Sequence, residues 1–117
     1  MDIETFRKYC LKLPGVEETF PFGPDTLVYK VFGKVFAITG LEEEVFNVNL
    51  KCDPERAIEL REEYPDQIIP GWHMNKKHWN TVSFENGLSN HLLHELIDHS
   101  YDLVVKGLPL HMKRQLM

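Results

Sequence analysis

The sequence predicts an α+β fold, with a mainly antiparallel sheet on which an N-terminal helix and C-terminal helices pack. Three observations favour this class. An amphipathic helical segment comes first, short β-branched and aromatic segments joined by tight turns follow, and further amphipathic helical segments come last. The 117 residues suffice for one core, so we expect a single domain over residues 1–117.

The N-terminal helix is predicted over residues 2 to 13. Apolar side chains recur there at three- and four-residue steps, Asp2 can cap the first turn, and a Pro-Gly pair ends the helix. The following residues, 17 to 25, are interpreted as a loop with two aromatic rings, Phe20 and Phe22. Both rings are expected to point inward.

Three strands are predicted next, over residues 27–32, 35–39 and 45–51. The first two are separated only by Gly33-Lys34, and a glycine at the first position of a two-residue hairpin loop suits a type II′ turn. In the third strand apolar and polar residues alternate, so one face is expected to be buried and the other wet. The polar set is Asn47, Asn49 and Lys51.

The second half of the chain is predicted to contain a helix at about 54–64, a short strand at 68–69, a strand at 79–84, a helix at 89–106 and a short last helix from Pro109. Asp53 and Ser89 are the expected N-caps, and Gly107 is expected as a C′ glycine. Ser100 falls on the apolar face of the long helix. Its hydroxyl is expected to bond within that helix.

The composition is that of an ordinary globular protein, with 43% apolar and 26% charged residues. The net charge of −5 counts against a general nucleic-acid coat protein, because such proteins carry a basic excess. The acidic N-terminus enters an amphipathic pattern directly, with no visible signal peptide and no apolar run long enough for a membrane. We therefore predict a cytoplasmic protein whose two cysteines stay reduced.

Residues 71–79 form the most informative segment, Gly-Trp-His-Met-Asn-Lys-Lys-His-Trp. It places two Trp, two His and two Lys in nine residues without regular periodicity. Aromatic faces stack on planar groups and ammonium groups neutralise negative charge, so the segment suits anions, bases or planar ligands. The alternative is a loop that its two tryptophans anchor to the core, with the lysines on a solvated turn.

A nucleic-acid-binding surface is the function that this segment favours most. Phosphates would be contacted by Lys30, Lys34, Lys51, Lys76 and Lys77, hydrogen bonds would come from His73 and Asn75, and Trp72 would stack on a base. The hairpin tip would lie along the nucleic-acid backbone as a wing. Changing the two adjacent lysines of the loop together is then expected to weaken binding about equally across sequences.

Patterns for catalysis and metal binding are weak. His91 and His94 stand three residues apart near Asp98 on a polar helix face, a spacing that can hold a metal but is more typical of solvated side chains. Cys52, just before a helix start, is better placed for a lowered pKa than Cys10, which falls on a buried stripe. We therefore predict a non-enzymatic protein with no catalytic residues, no metal site and no cofactor.

Several motifs occur in the order found in a known family. They are Pro14-Gly15-Val16-Glu17, Pro21-Phe22-Gly23, Val31-Phe32-Gly33-Lys34-Val35-Phe36-Ala37, Leu50-Lys51-Cys52, the segment 71–79 and Ser100-Tyr101-Asp102-Leu103-Val104. Over nearly the whole chain the sequence resembles the MmcQ/YjbR family. The resemblance implies a frataxin-like (CyaY-like) α+β fold described as a double wing. The resemblance also implies DNA binding, a description of the family that rests largely on analogy of shape. It supplies no established set of catalytic residues.

Two hypotheses about function stay open. The first is a small module that binds DNA through the lysine-containing loop and the hairpin wing. The second is a protein-interaction or small-ligand-binding module, whose partner is a protein or a small anionic ligand held in the cleft between the sheet and the aromatic loop. No membrane partner is expected in either case.

Overall fold

The computed structural model describes residues 1–116 and confirms the α+β class, with helices packed on one antiparallel sheet. In chain order the elements are α1 (Ile3–Lys12), β1 (Val16–Thr19), β2 (Thr26–Val31), β3 (Lys34–Gly40), β4 (Asn47–Lys51), α2 (Pro54–Glu63), β5 (Ile68–Pro70), β6 (Trp79–Ser83), α3 (Asn90–Lys106) and α4 (Leu110–Arg114). The strands lie in the order β1-β2-β3-β4-β6-β5, so β1 and β5 are the edges. Every neighbouring pair is antiparallel.

Three helices begin at the caps that the sequence predicts. The side chains of Asp2, Asp53 and Ser89 each accept a hydrogen bond from a main-chain N–H in the first turn of α1, α2 and α3. The end of α3 differs from the prediction, because Gly107 is the C-cap itself and has a right-handed φ of −81°. None of the helices described in residues 1–116 is both long and apolar enough to cross a membrane.

The strand β1 covers residues 16–19, so the predicted loop over residues 17–25 is wrong at its first three residues and confirmed at the rest. Val16 packs against the core, and two residues further on the Glu18 carboxylate accepts two bonds of 3.0 Å from the guanidinium of Arg7 and one of 2.7 Å from the hydroxyl of Tyr29. Apolar periodicity does not reveal so short a strand when one of its two inward residues is a charged group satisfied by distant partners.

The two phenylalanines after β1 are also misplaced by the sequence prediction. Phe20 is 49% exposed and Phe22 is 70% exposed, although both are expected inside. The chain leaves β1 at the edge of the sheet and turns there before β2, which keeps both rings beyond the reach of the core. Phe22 is therefore available to a surface site.

The hairpin between β2 and β3 is confirmed, but its turn is not the predicted one. Val31 pairs with Lys34, so the two loop residues are Phe32 and Gly33. Both have positive φ, 46° and 78°, as in a type I′ turn, whereas type II′ requires positive φ only at the first loop position. Lys34 is consequently the first residue of β3 and not part of the turn.

The helices α1, α2 and α3 cover one face of the sheet. α3 packs on β2, β3 and β4, while α1 packs on β1 and α2 on β5. At the centre, the ring of Phe6 meets the rings of Tyr29, Phe46 and Phe84 edge-on, with centroids 5.4, 5.6 and 5.4 Å away. These geometries suit the quadrupoles of aromatic rings and add to the burial of apolar area.

Ser100 joins α3 to the sheet, and the predicted bond within its own helix is wrong. Its Oγ accepts from the main-chain N–H of Lys51 at 2.8 Å and donates to the carbonyl of Phe36 at 2.5 Å. The β3–β4 ladder extends only as far as Ala37 and Leu50 at this end. The serine therefore satisfies the main-chain groups just beyond the last ladder pair.

We predict that Ser100→Ala lowers the free energy of unfolding by about 1–3 kcal/mol, because it leaves a buried N–H and a buried C=O without their partner. Ser83→Ala is the matched control, since the Ser83 hydroxyl is buried and has no hydrogen-bond partner among residues 1–116. That control should be neutral or stabilising. Urea unfolding of both variants measures the difference, and equal losses would contradict the bridging role of Ser100.

We also predict a pH dependence of stability from Glu18. Hydrogen bonds from Arg7 hold the pKa of Glu18 below its usual value, so its contribution to stability is present above about pH 4.3 and is lost as pH falls through the folded-state pKa. Glu18→Gln should be less stable than the wild type at pH 7 and should lose less stability on acidification. Urea midpoints at neutral and acidic pH test this, with the exposed neighbour Glu17→Gln keeping the wild-type acid loss.

Candidate functional site

The face of the sheet opposite the helices carries a row of residues joined strand to strand. Val28, Ile38, Asn49, Thr81 and Ile69 follow one another as direct cross-strand partners from β2 to β5. The core residues of the same strands point the other way, toward α1, α2 and α3. Within residues 1–116, no helix of the core layer covers this row. We call this side of the sheet the open face, although Val28 and Thr81 on it are buried.

Two adjoining cavities lie on the open face. The larger, of about 500 Å³, is bordered by exposed aromatic rings and by His73 and Met74, and the smaller, of about 350 Å³, extends it toward β5. They share lining residues and form one depression, which we call the aromatic groove. It is defined by Phe22, Ile38, Glu43, Asn49, Trp72 and Thr81.

Hydrogen bonds to the sheet fix the loop that carries Trp72. The N–H of Gly71 donates to the carbonyl of Trp79 at 2.9 Å, and the N–H of Trp72 donates to Oγ1 of Thr81 at 2.9 Å. The N–H of Met74 then donates to the carbonyl of Gly71 at 3.2 Å, which closes the first turn. Trp72 is 62% exposed, so its main chain is held while its ring faces solvent over the groove.

The other half of the loop is tied to α2. Lys76 donates from Nζ to the carbonyl of Gly71 at 3.1 Å, and its own carbonyl accepts from the guanidinium of Arg61 at 2.8 Å. The side chain of Asn75 accepts from the N–H of Lys77 at 2.9 Å. Asn75 and Lys76 therefore use their polar groups to shape the loop, and among the described residues neither they nor Lys77 line the groove.

His73 stands at the tip of the loop in a left-handed backbone conformation, with φ of 59°. Its ring meets that of Trp72 edge-on, with centroids 4.9 Å apart. Positive φ is uncommon for residues other than glycine, although histidine tolerates it better than most, and such conformations concentrate at functional sites. His73 thus presents an exposed ring next to the exposed indole.

The three lysines predicted outside the loop gather around Val35, at the hairpin end of β3. Lys30 is the cross-strand partner of Val35. Lys34 and Lys51 line a cavity of about 390 Å³ together with Val35 and the end of α3. Val35 also borders the aromatic groove, so the cavity of Lys34 and Lys51 adjoins one end of it, although none of the three lysines lines the groove itself. Lys76 and Lys77 line neither this cavity nor the groove.

The floor of the groove has unused hydrogen-bonding capacity. Thr81 donates from its hydroxyl to Oδ1 of Asn49, and the amide nitrogen of Asn49 has no partner among residues 1–116. The neighbouring pair on the same face is Asn47 and Ser83, and the buried Ser83 hydroxyl is without a partner in the same range. Polar groups beneath exposed aromatic rings are what a site for a planar ligand with a polar edge requires.

The two cysteines and His94 have structural surroundings that do not favour catalysis or metal binding. Burial raises the pKa of Cys52 to about 11, which is opposite to the expected lowering, and Cys10 is fully buried. The ring of His94 stacks on Tyr9 at 4.3 Å, and the Tyr9 hydroxyl donates to Asp98 at 2.7 Å. Within residues 1–116 no group of three or more His, Cys, Asp or Glu side chains is arranged to hold a metal ion.

The chain is similar in sequence to several known proteins. The model of the YjbR family matches residues 11–103. The chain belongs to the YjbR family. It is 44% identical to YbdF of Escherichia coli O157:H7 over 105 residues, which cover 90% of this chain and 85% of that protein. It is 34% identical to YjbR of Escherichia coli K12 over 109 residues, 93% of this chain and 92% of that protein.

Solved structures agree with the fold of this YjbR-family protein. The crystal structure of Deinococcus radiodurans DR2400, with a DUF419 domain, is 41% identical with a TM-score of 0.90 and covers 97% of this chain and 86% of that one. A crystal structure from Pseudomonas syringae is 29% identical with a TM-score of 0.76, covering 89% and 99%. YbdF and YjbR are both described as uncharacterized, so the relatives establish family and fold and leave function to the site.

Some residues of the aromatic groove of this YjbR-family protein are predicted as site residues from the sequence, and others are not. Trp72 and His73, which border the groove, are among the residues predicted to bind, whereas Glu43 and Thr81 are not. The alternation of apolar and polar residues in β4 predicts that Asn49 lies on the solvent side of the sheet, which is the side that carries the groove. The remaining members come together only when β6 pairs with β4 and the turn after β3 folds over the open face.

We predict that Gly71→Ala displaces the loop and destabilises the protein by about 1–3 kcal/mol. A Cβ at this position would lie 2.8 Å from Cβ of Trp79 and 3.0 Å from its carbonyl oxygen, so the main chain must shift. Gly40→Ala is the control, because its Cβ would meet only the flexible side chain of Glu43. Urea unfolding and tryptophan fluorescence should change in the first variant and stay near wild type in the second.

Proposed function

We propose that this YjbR-family protein is a non-enzymatic binding module that holds single-stranded nucleic acid across the aromatic groove. The observation that carries the proposal is Trp72, an exposed indole whose main chain is hydrogen-bonded to Thr81 over a polar floor. Burial of apolar area does not explain a large ring held in solvent. A stacking surface for a base does.

Stacking is the first contribution to binding. Phe22, which is 70% exposed, borders the same cavity as Trp72, and Ile38 lines that cavity as well. Each base that stacks on an aromatic side chain contributes about 1–3 kcal/mol with little dependence on sequence. Bases are available for stacking in a single strand, whereas in a duplex their faces are already covered by neighbours. The groove therefore favours a single strand over a duplex.

Phosphate contact is the second contribution. Lys30 pairs with Val35, and Lys34 and Lys51 line the cavity that shares Val35 with the groove, so a strand that leaves the stacking surface at this end would reach them. The net charge of −5 means that attraction is local to this end of the molecule. A few phosphate contacts give binding that weakens steeply with salt.

Under this proposal, only some of the binding residues predicted from the sequence contact the nucleic acid. Trp72 and His73 contribute rings, and the three lysines around Val35 contribute charge. Lys76 and Asn75 already bond within their own loop, so the interface does not need them. The hairpin acts as a wing through Lys34, beside its tip.

A small planar anion is the second candidate ligand. The larger cavity, of about 500 Å³, falls in the range of small-molecule sites and combines apolar walls with a few polar groups. A mononucleotide that binds as tightly as a longer strand would favour this candidate. An affinity that rises with strand length would favour the nucleic acid.

We predict that Lys30→Ala with Lys51→Ala weakens binding of labelled single-stranded DNA and reduces the slope of log affinity against log salt by about 1–2. Lys76→Ala with Lys77→Ala removes the same charge from the loop and tests whether phosphates contact the loop instead. Fluorescence anisotropy at low and near-physiological salt measures both, with a duplex of the same sequence for comparison.

Two outcomes of that experiment would contradict the proposal. If the loop pair of lysines loses affinity and the Val35 pair does not, phosphates contact the loop and the interface lies elsewhere. If no strand binds even at low salt, the module does not act on nucleic acid. Trp72→Ala should reduce affinity for single strands at every salt concentration, since stacking is not screened by ions.

A further inference from the structure

We propose that the aromatic groove reads the edge of one stacked base and that its polar groups select guanine. This inference rests on the proposed function and adds to it a specificity and the residues responsible. The two residues are Asn49, as hydrogen-bond donor, and Glu43, as acceptor. Both line both cavities of the groove.

The hydrogen bonds around Thr81 determine what Asn49 offers to a ligand. The main-chain N–H of Trp72 can only donate, so Oγ1 of Thr81 accepts from it, at 2.9 Å. The hydroxyl proton of Thr81 then goes to Oδ1 of Asn49. With its oxygen engaged, the Asn49 side chain presents its amide N–H groups to the groove.

The same three residues couple stacking to edge recognition. Trp72, Thr81 and Asn49 form one chain of hydrogen bonds from the loop to the centre of the sheet. Thr81, which holds the main chain of Trp72, therefore also orients the amide of Asn49. A base that lies against Trp72 has its edge toward a donor of fixed orientation.

The acceptor comes from the turn after β3. A Cβ placed on Gly40 would lie 3.0 Å from Oε1 of Glu43, so the carboxylate rests against the glycine backbone at the border of the groove. A larger residue at Gly40 would displace it. An ionised carboxylate only accepts hydrogen bonds and has two oxygens for them.

Guanine matches this pair better than the other bases. Its Watson–Crick edge places the O6 acceptor beside two donors, N1–H and the N2 amino group. The amide of Asn49 can donate to O6 while the carboxylate of Glu43 accepts from both donors. Thymine offers one N–H between two carbonyl oxygens, which would face the carboxylate unfavourably, and cytosine and adenine each offer a single amino group.

The test uses a labelled oligothymidine strand with one central guanine, compared with the same strand carrying cytosine, adenine or thymine at that position. We expect the wild-type protein to bind the guanine strand roughly five- to a hundred-fold more tightly, as for other bidentate base contacts. A single guanine avoids self-association of the probe. Anisotropy at fixed salt gives the ratio.

Substitutions then assign the preference to the two residues. Asn49→Asp replaces the donor by an acceptor of the same shape, and Glu43→Gln removes the acceptor charge. Each should reduce the guanine preference to less than about threefold while the plain thymidine strand still binds. Glu42→Gln is the matched control, because it removes the same charge from the same turn at a position that does not line the groove.

Three results would overturn the inference. Equal affinity for all four strands would remove guanine selection and leave the single-strand proposal intact. A preference that persists in both Asn49→Asp and Glu43→Gln would mean that other groups read the base. No binding to any strand would refute the proposed function and the inference together. Urea unfolding of each variant identifies a loss of binding that follows only from a loss of fold.

Discussion

The structure depends on the packing of its helices against one face of the sheet. α1, α2 and α3 share that side, so alternate strand residues point into the core and the others point to the opposite face, where Ile38 and Asn49 are partly exposed. Register is therefore strictly constrained, because a slip of one residue would move Leu50 out of the core and Asn49 into it. The open face is a direct consequence of this arrangement, and the aromatic groove lies on it.

Polar contacts connect the two layers where apolar packing alone would leave main-chain or charged groups unsatisfied. Glu18 on the edge strand is held by Arg7 of α1, and Ser100 of α3 bonds to the main chain of two central strands. On the other face, Thr81 plays the corresponding part by joining the loop to β4. Buried polar groups of this kind stabilise one arrangement because any other leaves them unpaired.

Charge is distributed unevenly along the groove. Lysines gather around Val35 at the start of β3, and Glu43 lies against Gly40 at its end, roughly 16 Å away along the strand. The protein as a whole is acidic, with a net charge of −5. An anionic chain would therefore be drawn to one end of the groove, while the other end accepts hydrogen bonds from donors.

The sequence by itself determined the elements whose causes are local. Asp2, Asp53 and Ser89 cap helices through neighbouring N–H groups, and the alternation in β4 reports burial on one side. Tertiary structure decided what depends on residues far apart in the chain. Glu18 of β1 finds its partners Arg7 and Tyr29 only when α1 and β2 are in place, and the groove forms only when β6 pairs with β4 beneath the loop. No local pattern encodes a contact whose two halves are brought together only by folding.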